Sequence, residues 1–146
     1  LVITIPAGED ESHAAAALFT DKNMPPLLAQ TKLLFVHGGE NRCASVKCAL
    51  EAIASSGTKC DIVLIHDAAR PFVTGKIIRD AAAAAVEHGA SVPAVTPVDT
   101  QKETDGHGII IRHLQRSTLA AVQTPQAFLF AQLLGAHRKA ALDGRH

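Results

Sequence analysis

Short apolar runs alternate along this chain with stretches in which apolar residues recur every three or four positions. Val2–Ile5 and Leu33–Val36 read as strands, and Asp10 between them can cap a helix running through Ala14 to Leu18. Asn23–Pro26 reads as a loop, because two adjacent prolines forbid helix continuation. Gly38-Gly39 closes the second strand. Val46, Ala49, Leu50 and Ile53 then fall on one helical face, which Gly57 terminates. Ile62–Ile65 is a continuous apolar run, the pattern of a central parallel strand buried on both faces. Thr74 is placed to cap a helix through Val86 that stops at Gly89, and Ser91–Val95 predicts a further strand. From Thr96 to Thr118 the rhythm breaks. Asp105-Gly106 lies between Thr100–Glu103 and Ile109–Arg112, which predicts a β-ribbon leaving the main body. Thr124-Pro125 reads as the N-cap and first residue of a last helix through Leu142. The alanine-rich stretch at 81–85 predicts a close-packing helical face.

Alternating strand and helix units imply a mostly parallel sheet with right-handed crossovers. At 146 residues the chain is one domain's worth, residues 1–146, with residues 96–118 as its arm. Ligands in such sheets bind at the carboxyl ends of strands, so the residues after Val36, Ile65 and Val95 are the candidates for chemistry. The chain already opens on a strand, without Met, and residues are expected before it.

Composition narrows the partners. Acidic and basic residues cancel at 14 each, whereas nucleic-acid and membrane-surface binders carry a basic excess. No Trp or Tyr is present to stack on bases. Cys43, Cys48 and Cys60 are an odd set without C-x-x-C spacing, which argues against a zinc site or disulfide framework and for a reducing, cytoplasmic setting. Cys48 is expected to be a small buried hydrophobe on its helix. No apolar run approaches the roughly 20 residues of a membrane span.

Directly after Ile65 stands His66-Asp67-Ala68-Ala69-Arg70-Pro71-Phe72. Asp67 can hold a divalent ion against a polyphosphate, and Arg70 can bind a phosphoryl oxygen bidentately. The alternative is an Asp67–Arg70 pair that only ties the loop down. After Val36, Gly38-Gly39-Glu40-Asn41-Arg42-Cys43-Ala44-Ser45-Val46 leads into a helix. Its glycines allow close backbone approach to a ligand, with Glu40 or Ser45 as hydrogen-bonding groups; the plainer reading is a strand-to-helix turn with a serine cap. Pro97-Val98-Asp99-Thr100-Gln101-Lys102, Arg116 and Gln123-Thr124-Pro125-Gln126 are each weak alone. The known phosphate-loop patterns and the nucleophile elbow are absent from the sequence.

In order, these blocks resemble the 2-C-methyl-D-erythritol 4-phosphate cytidylyltransferase family, from Leu1 to about Leu142. The resemblance implies a three-layer α/β sandwich with a Rossmann-like sheet, of the nucleotide-diphospho-sugar transferase type, and a protruding dimerisation arm. It implies transfer of CMP from CTP to methylerythritol phosphate with Mg2+, releasing pyrophosphate, in isoprenoid precursor biosynthesis. Gly39, Glu40, Ser45 and Ala68 would line the cytidine pocket, and Asp67 would face the metal, the ribose and the sugar phosphate. Arg70 and Thr124 would hold the sugar phosphate, with Thr100 and Arg116 reaching in from the arm of a second copy. Asp67 and Arg70 would be the catalytic pair. Three features depart from the family. Its glycine-rich N-terminal loop with Arg and Lys is absent from the sequence, as is a C-terminal Lys, and Ala120 stands near a frequent Trp. Each missing charge-stabilising donor is worth about 2.7–4 kcal/mol at the transition state. Ribitol 5-phosphate cytidylyltransferases share the scaffold but tend to carry Ser-Val where Ala68-Ala69 stands. A non-catalytic nucleotide-binding or dimerisation fragment is the alternative from another class.

Overall fold

The computed structural model describes residues 1–19 and 30–144. In chain order its elements begin with β1 (Val2–Ile5), α1 (Glu11–Phe19), β2 (Leu34–His37), α2 (Arg42–Ser55) and β3 (Ile62–Ile65). They continue with α3 (Gly75–His88), β4 (Ala90–Ser91), β5 (Ala94–Val95), β6 (Lys102–Thr104) and β7 (Ile110–His113). A 3-10 turn (Arg116–Thr118), β8 (Ala121–Val122), β9 (Gln126–Leu129) and α4 (Phe130–Leu142) complete it. The loop expected at Asn23–Pro26 lies outside the described residues.

These elements form two compact units, Leu1–Asp61 with Phe130–His146, and Ile62–Leu129. In the first, β1 and β2 pair in parallel from Val2–Leu34 to Ile5–His37. A parallel pair needs a crossover, and α1 lies within that connection. Asp10 caps α1 as expected, its carboxylate accepting the Ser12 N–H at 2.7 Å; hydrogen bonds from the Ser12 hydroxyl and then from this N–H hold its pKa below the ordinary aspartate value. Helix α2 starts from Asn41, whose side chain accepts the Ala44 N–H at 2.9 Å, so the cap is this asparagine and not Ser45. Gly57, at φ 67°, takes the left-handed position after the helix that side chains resist. Leu50 and Leu134 are buried on α2 and α4. Cys48 is half-buried, less enclosed than its helical position suggested.

Helices α2 and α4 are joined by a two-pronged ion pair. Arg138 Nε donates to Glu51 Oε1 at 2.8 Å, and Nη2 to Oε2 at 2.6 Å. The guanidinium hydrogen bond pulls the Glu51 pKa below its ordinary 4.5. A depressed carboxylate contributes stability above the unfolded-state pKa and loses it as pH falls through the folded value. Glu51→Gln is therefore expected to lower Tm at neutral pH, with the gap to wild type closing progressively as the solution is acidified below 4.5. Melting curves of both proteins across that range check this; a gap that widens in acid would refute the assignment.

In the second unit β9 is the central strand of three, antiparallel to both β3 and β4. Two expectations are corrected here. Gln126–Leu129 extends as a strand because its backbone pairs with Ile62–Ile65 and Ala90–Ser91, so helix α4 starts only at Phe130 and Thr124-Pro125 does not cap it. Strand β3 accordingly pairs antiparallel with β9; among the described residues parallel pairing is confined to β1 and β2. The alanine-rich helix behaves as expected. Ala81 and Ala85, one turn apart, are buried with Ala127 of β9, and the small side chains bring helix and sheet close. Thr74 caps α3 through the Ile77 N–H, and Gly89 ends it at φ 86°. The expected strand at Ser91–Val95 is two short ones, β4 and β5, on either side of Val92-Pro93.

The ribbon β6–β7 pairs Lys102 with His113 and Glu103 with Arg112. Its turn is longer than the Asp-Gly pair alone. The Asp105 carboxylate accepts the N–H groups of His107 and Ile109, both at 2.9 Å, and Gly108 rather than Gly106 takes the positive φ. Ile109, Ile110 and Ile111 are all about 60% exposed on it.

Candidate functional site

Each unit presents one loop at the carboxyl end of a strand. In the first, the Gly38 N–H donates to the Ile5 carbonyl at 2.8 Å, which extends the β1–β2 ladder into the turn. The Gly39 N–H donates to Ser45 Oγ at 3.1 Å, and the Ser45 hydroxyl donates to the Asn41 carbonyl at 2.9 Å. The serine thus clips the turn to the first turn of α2. Closeness requires glycine at position 39 and favours it at position 38. A Cβ on Gly39 would lie 2.4 Å from the Ala44 Cβ, and one on Gly38 would lie 2.8 Å from Ser45 Oγ. Thr4, Ile5, Pro6, Ala7, Gly38, Gly39 and Ser45 line a recess of about 220 Å³. That is below the roughly 300–1,000 Å³ that encloses a drug-sized ligand, so the recess accommodates part of one. Glu40 is exposed beside it.

In the second unit the residues after β3 form a tight turn. The Arg70 N–H donates to the Asp67 carbonyl at 2.9 Å, and Arg70 Nε lies 3.6 Å from Asp67 Oδ2. The ion pair envisaged from the sequence thus forms. Both side chains remain open to solvent, Asp67 at 39% and Arg70 at 47%, so the pair can exchange for a ligand at small cost. Ala68 is exposed between them. Thr124 approaches from the segment before β9, where Pro125 is fully buried. The Asp67 N–H donates to Thr124 Oγ1 at 3.2 Å, and that oxygen lies 3.0 Å from His66 Nδ1. His66 Nε2 in turn lies 2.9 Å from the Arg70 carbonyl.

Thr124, 57 positions from Asp67 in sequence, is therefore brought against the loop that carries Asp67 and Arg70. Their link is His66, to which sequence reading assigned no role. Its place beside Asp67 is visible in the sequence, and its contact with Arg70 is local, but its contact with Thr124 depends on the β3–β9 pairing. On the arm side, Thr100 is exposed, and Arg116 Nη1 donates to the Val98 carbonyl of its own chain. Arg112 and Glu103 pair across the ribbon at 2.7 Å.

Among the described residues no group of three His, Cys, Asp or Glu is placed to cage a metal. A lone carboxylate suits Mg2+, which keeps most of its waters and takes one or two carboxylates plus substrate phosphates. Asp67, half-exposed at the mouth of its loop, fits that role.

A family model for 2-C-methyl-D-erythritol 4-phosphate cytidylyltransferase matches residues 3–146. The bifunctional enzyme IspD/IspF of Rhodopseudomonas palustris (strain HaA2) is 50% identical over 110 residues, 75% of this chain and 27% of the relative. That of Nitrobacter winogradskyi is 50% identical over 109 residues, with the same coverage of 75% and 27%. The crystal structure of 2-C-methyl-D-erythritol 4-phosphate cytidylyltransferase from Thermus thermophilus superposes with a TM-score of 0.73 at 31% identity, covering 99% of this chain and 61% of that one. The Francisella tularensis structure of the same name gives 0.73 at 27% identity, covering 98% and 59%. The chain thus spans 27% of the length of these bifunctional relatives and about three fifths of the solved structures.

Proposed function

The chain belongs to the 2-C-methyl-D-erythritol 4-phosphate cytidylyltransferase family, and we propose that its protein transfers CMP from CTP to 2-C-methyl-D-erythritol 4-phosphate. A phosphate oxygen of the sugar phosphate attacks the α-phosphorus of CTP, the bond from that phosphorus to the bridging oxygen breaks, and pyrophosphate leaves. No covalent enzyme intermediate is needed, so the work of the residues is positioning and charge stabilisation. The observation that carries this reading is the loop after β3, where Asp67, Arg70 and Thr124 are bonded into one turn and keep both charged heads accessible.

In this reading Gly39, Glu40, Ser45 and Ala68 take the nucleotide, the recess beside Gly39 and Ser45 receiving part of it. Asp67 holds Mg2+, which supplies positive charge to the triphosphate. Arg70 and Thr124 hold the sugar phosphate. The exposed isoleucines of the β6–β7 ribbon support a homodimer in which this arm packs on a second copy, bringing Thr100 and Arg116 to the partner's substrate. The fold proposed for the single domain is the three-layer sandwich with that arm protruding. No helix among the described residues is long and apolar enough to cross a membrane, and a cytoplasmic setting is consistent with three free cysteines.

The test uses the complete natural protein with CTP and Mg2+, following pyrophosphate release. Methylerythritol phosphate is expected to be used at least about tenfold better than ribitol 5-phosphate by kcat/KM, because Ala68-Ala69 matches the former family. Preference for ribitol 5-phosphate would overturn the acceptor, and absence of CTP binding would leave only a dimerisation role. The same preparation should sediment as a dimer; a monomer would sink the arm exchange.

A further inference from the structure

We propose that His66 is a positioning residue whose imidazole sets the spacing of Asp67, Arg70 and Thr124, an inference that rests on the cytidylyl-transfer reading. A carbonyl oxygen only accepts, so the contact at 2.9 Å between His66 Nε2 and the Arg70 carbonyl places the hydrogen on Nε2. In the neutral ring Nδ1 is then a lone pair, and the Thr124 hydroxyl, 3.0 Å away, donates to it. That hydroxyl has spent its one hydrogen, and its oxygen accepts the Asp67 N–H at 3.2 Å. One ring therefore spans the turn. It holds the far end of the loop at Arg70 and, through Thr124, the near end at Asp67.

The turn-closing bond and the ion pair act differently from this tie. The Arg70 N–H to Asp67 carbonyl bond closes the turn itself but does not connect it to β9, and the Asp67–Arg70 ion pair is too exposed to fix either side chain. Thr124 ties the turn to the segment entering β9 by bonding to both Asp67 and His66. Phosphoryl transfer depends on placing the attacking oxygen in line, and small misplacements of the groups that hold it cost rate steeply.

Three variants of the complete protein test the role. His66→Ala is expected to lower kcat with methylerythritol phosphate about tenfold or more, while KM for CTP and Tm stay near wild type. His66→Gln is expected to recover part of that loss, because its amide nitrogen can donate to the Arg70 carbonyl where Nε2 did. A nitrogen-15 spectrum of the histidine rings gives a readout independent of turnover: His66 should be the Nε2–H tautomer, with its Nδ1 signal moving in Thr124→Val. Unchanged kcat in His66→Ala, a loss that only tracks Tm, a Gln variant no better than Ala, or an Nδ1–H tautomer would each overturn the proposal. A wild type that transfers no cytidylyl group would instead overturn the functional reading, which the spectrum cannot do.

Discussion

Asp67→Asn in the complete protein is expected to lower kcat/KM about a hundredfold or more while leaving Tm nearly unchanged. The stability half follows from the exposure of the carboxylate, which is 39% open to solvent. Its pairing with Arg70 is at 3.6 Å with both side chains open to solvent, and exposed pairs of this kind contribute about 0–1 kcal/mol. The bonds that shape the turn use the Asp67 backbone, its carbonyl to the Arg70 N–H and its N–H to Thr124, and Asn keeps both. The kinetic half follows from charge. Among the described residues no cluster of acidic or histidine ligands stands by to hold a cation in its place. Removing one preorganised charge-stabilising group typically costs about 2.7–4 kcal/mol, a factor of about a hundred to a thousand. Parallel melts and steady-state kinetics separate the two halves. A variant with wild-type kinetics and a lowered Tm would return the pair to a loop tie.

Gly39→Ala is expected to damage both folding and nucleotide binding. Gly39 has no positive φ, so backbone preference is not the reason. Its Cβ would stand 2.4 Å from the Ala44 Cβ and 3.1 Å from the Ala44 carbonyl carbon, both on the first turn of α2, and neither can rotate away. The turn would have to move off the helix, stretching the 3.1 Å bond from Gly39 to Ser45 and reshaping the recess. Overpacking of this sort costs about 1–3 kcal/mol, and CTP affinity should fall about tenfold or more as the recess distorts. Gly38→Ala should be milder, since its Cβ would meet the rotatable Ser45 hydroxyl. Gly106→Ala, with nothing within 4 Å, is the control and should melt like wild type. Equal melts for Gly39→Ala and Gly106→Ala would show that the turn tolerates the methyl group.

Helix boundaries are legible in the sequence where a side chain satisfies its own neighbours. Asp10 and Thr74 cap the helices they precede, and Gly89 stops one by adopting a φ of 86° that other residues avoid. The 81–85 alanines are legible as a packing face for a similar reason, because spacing of small residues along one helix decides which side can come close. Ser45 is visible in the sequence, but its task is not. Asn41 supplies the cap because it sits one residue before the helix, and Ser45 turns back to the glycines.

The His66–Arg70 motif and its strand-end position are also in the sequence, as are the residue types suited to phosphate and metal. What the sequence by itself determined is thus the helix ends set by Asp10, Thr74 and Gly89, together with the chemical inventory of the loops. Tertiary structure decided which strands pair and, through that, which loop residues meet. Gln126–Leu129 follows Thr-Pro and locally favours a helix start, yet it lies between Ile62–Ile65 and Ala90–Ser91 as a strand. That pairing brings Thr124 against His66 and Asp67, residues 58 and 57 positions away in sequence. Local propensities are worth tenths of a kcal/mol per residue, whereas a strand's backbone groups must all find hydrogen-bond partners once buried, so the distant partners prevail.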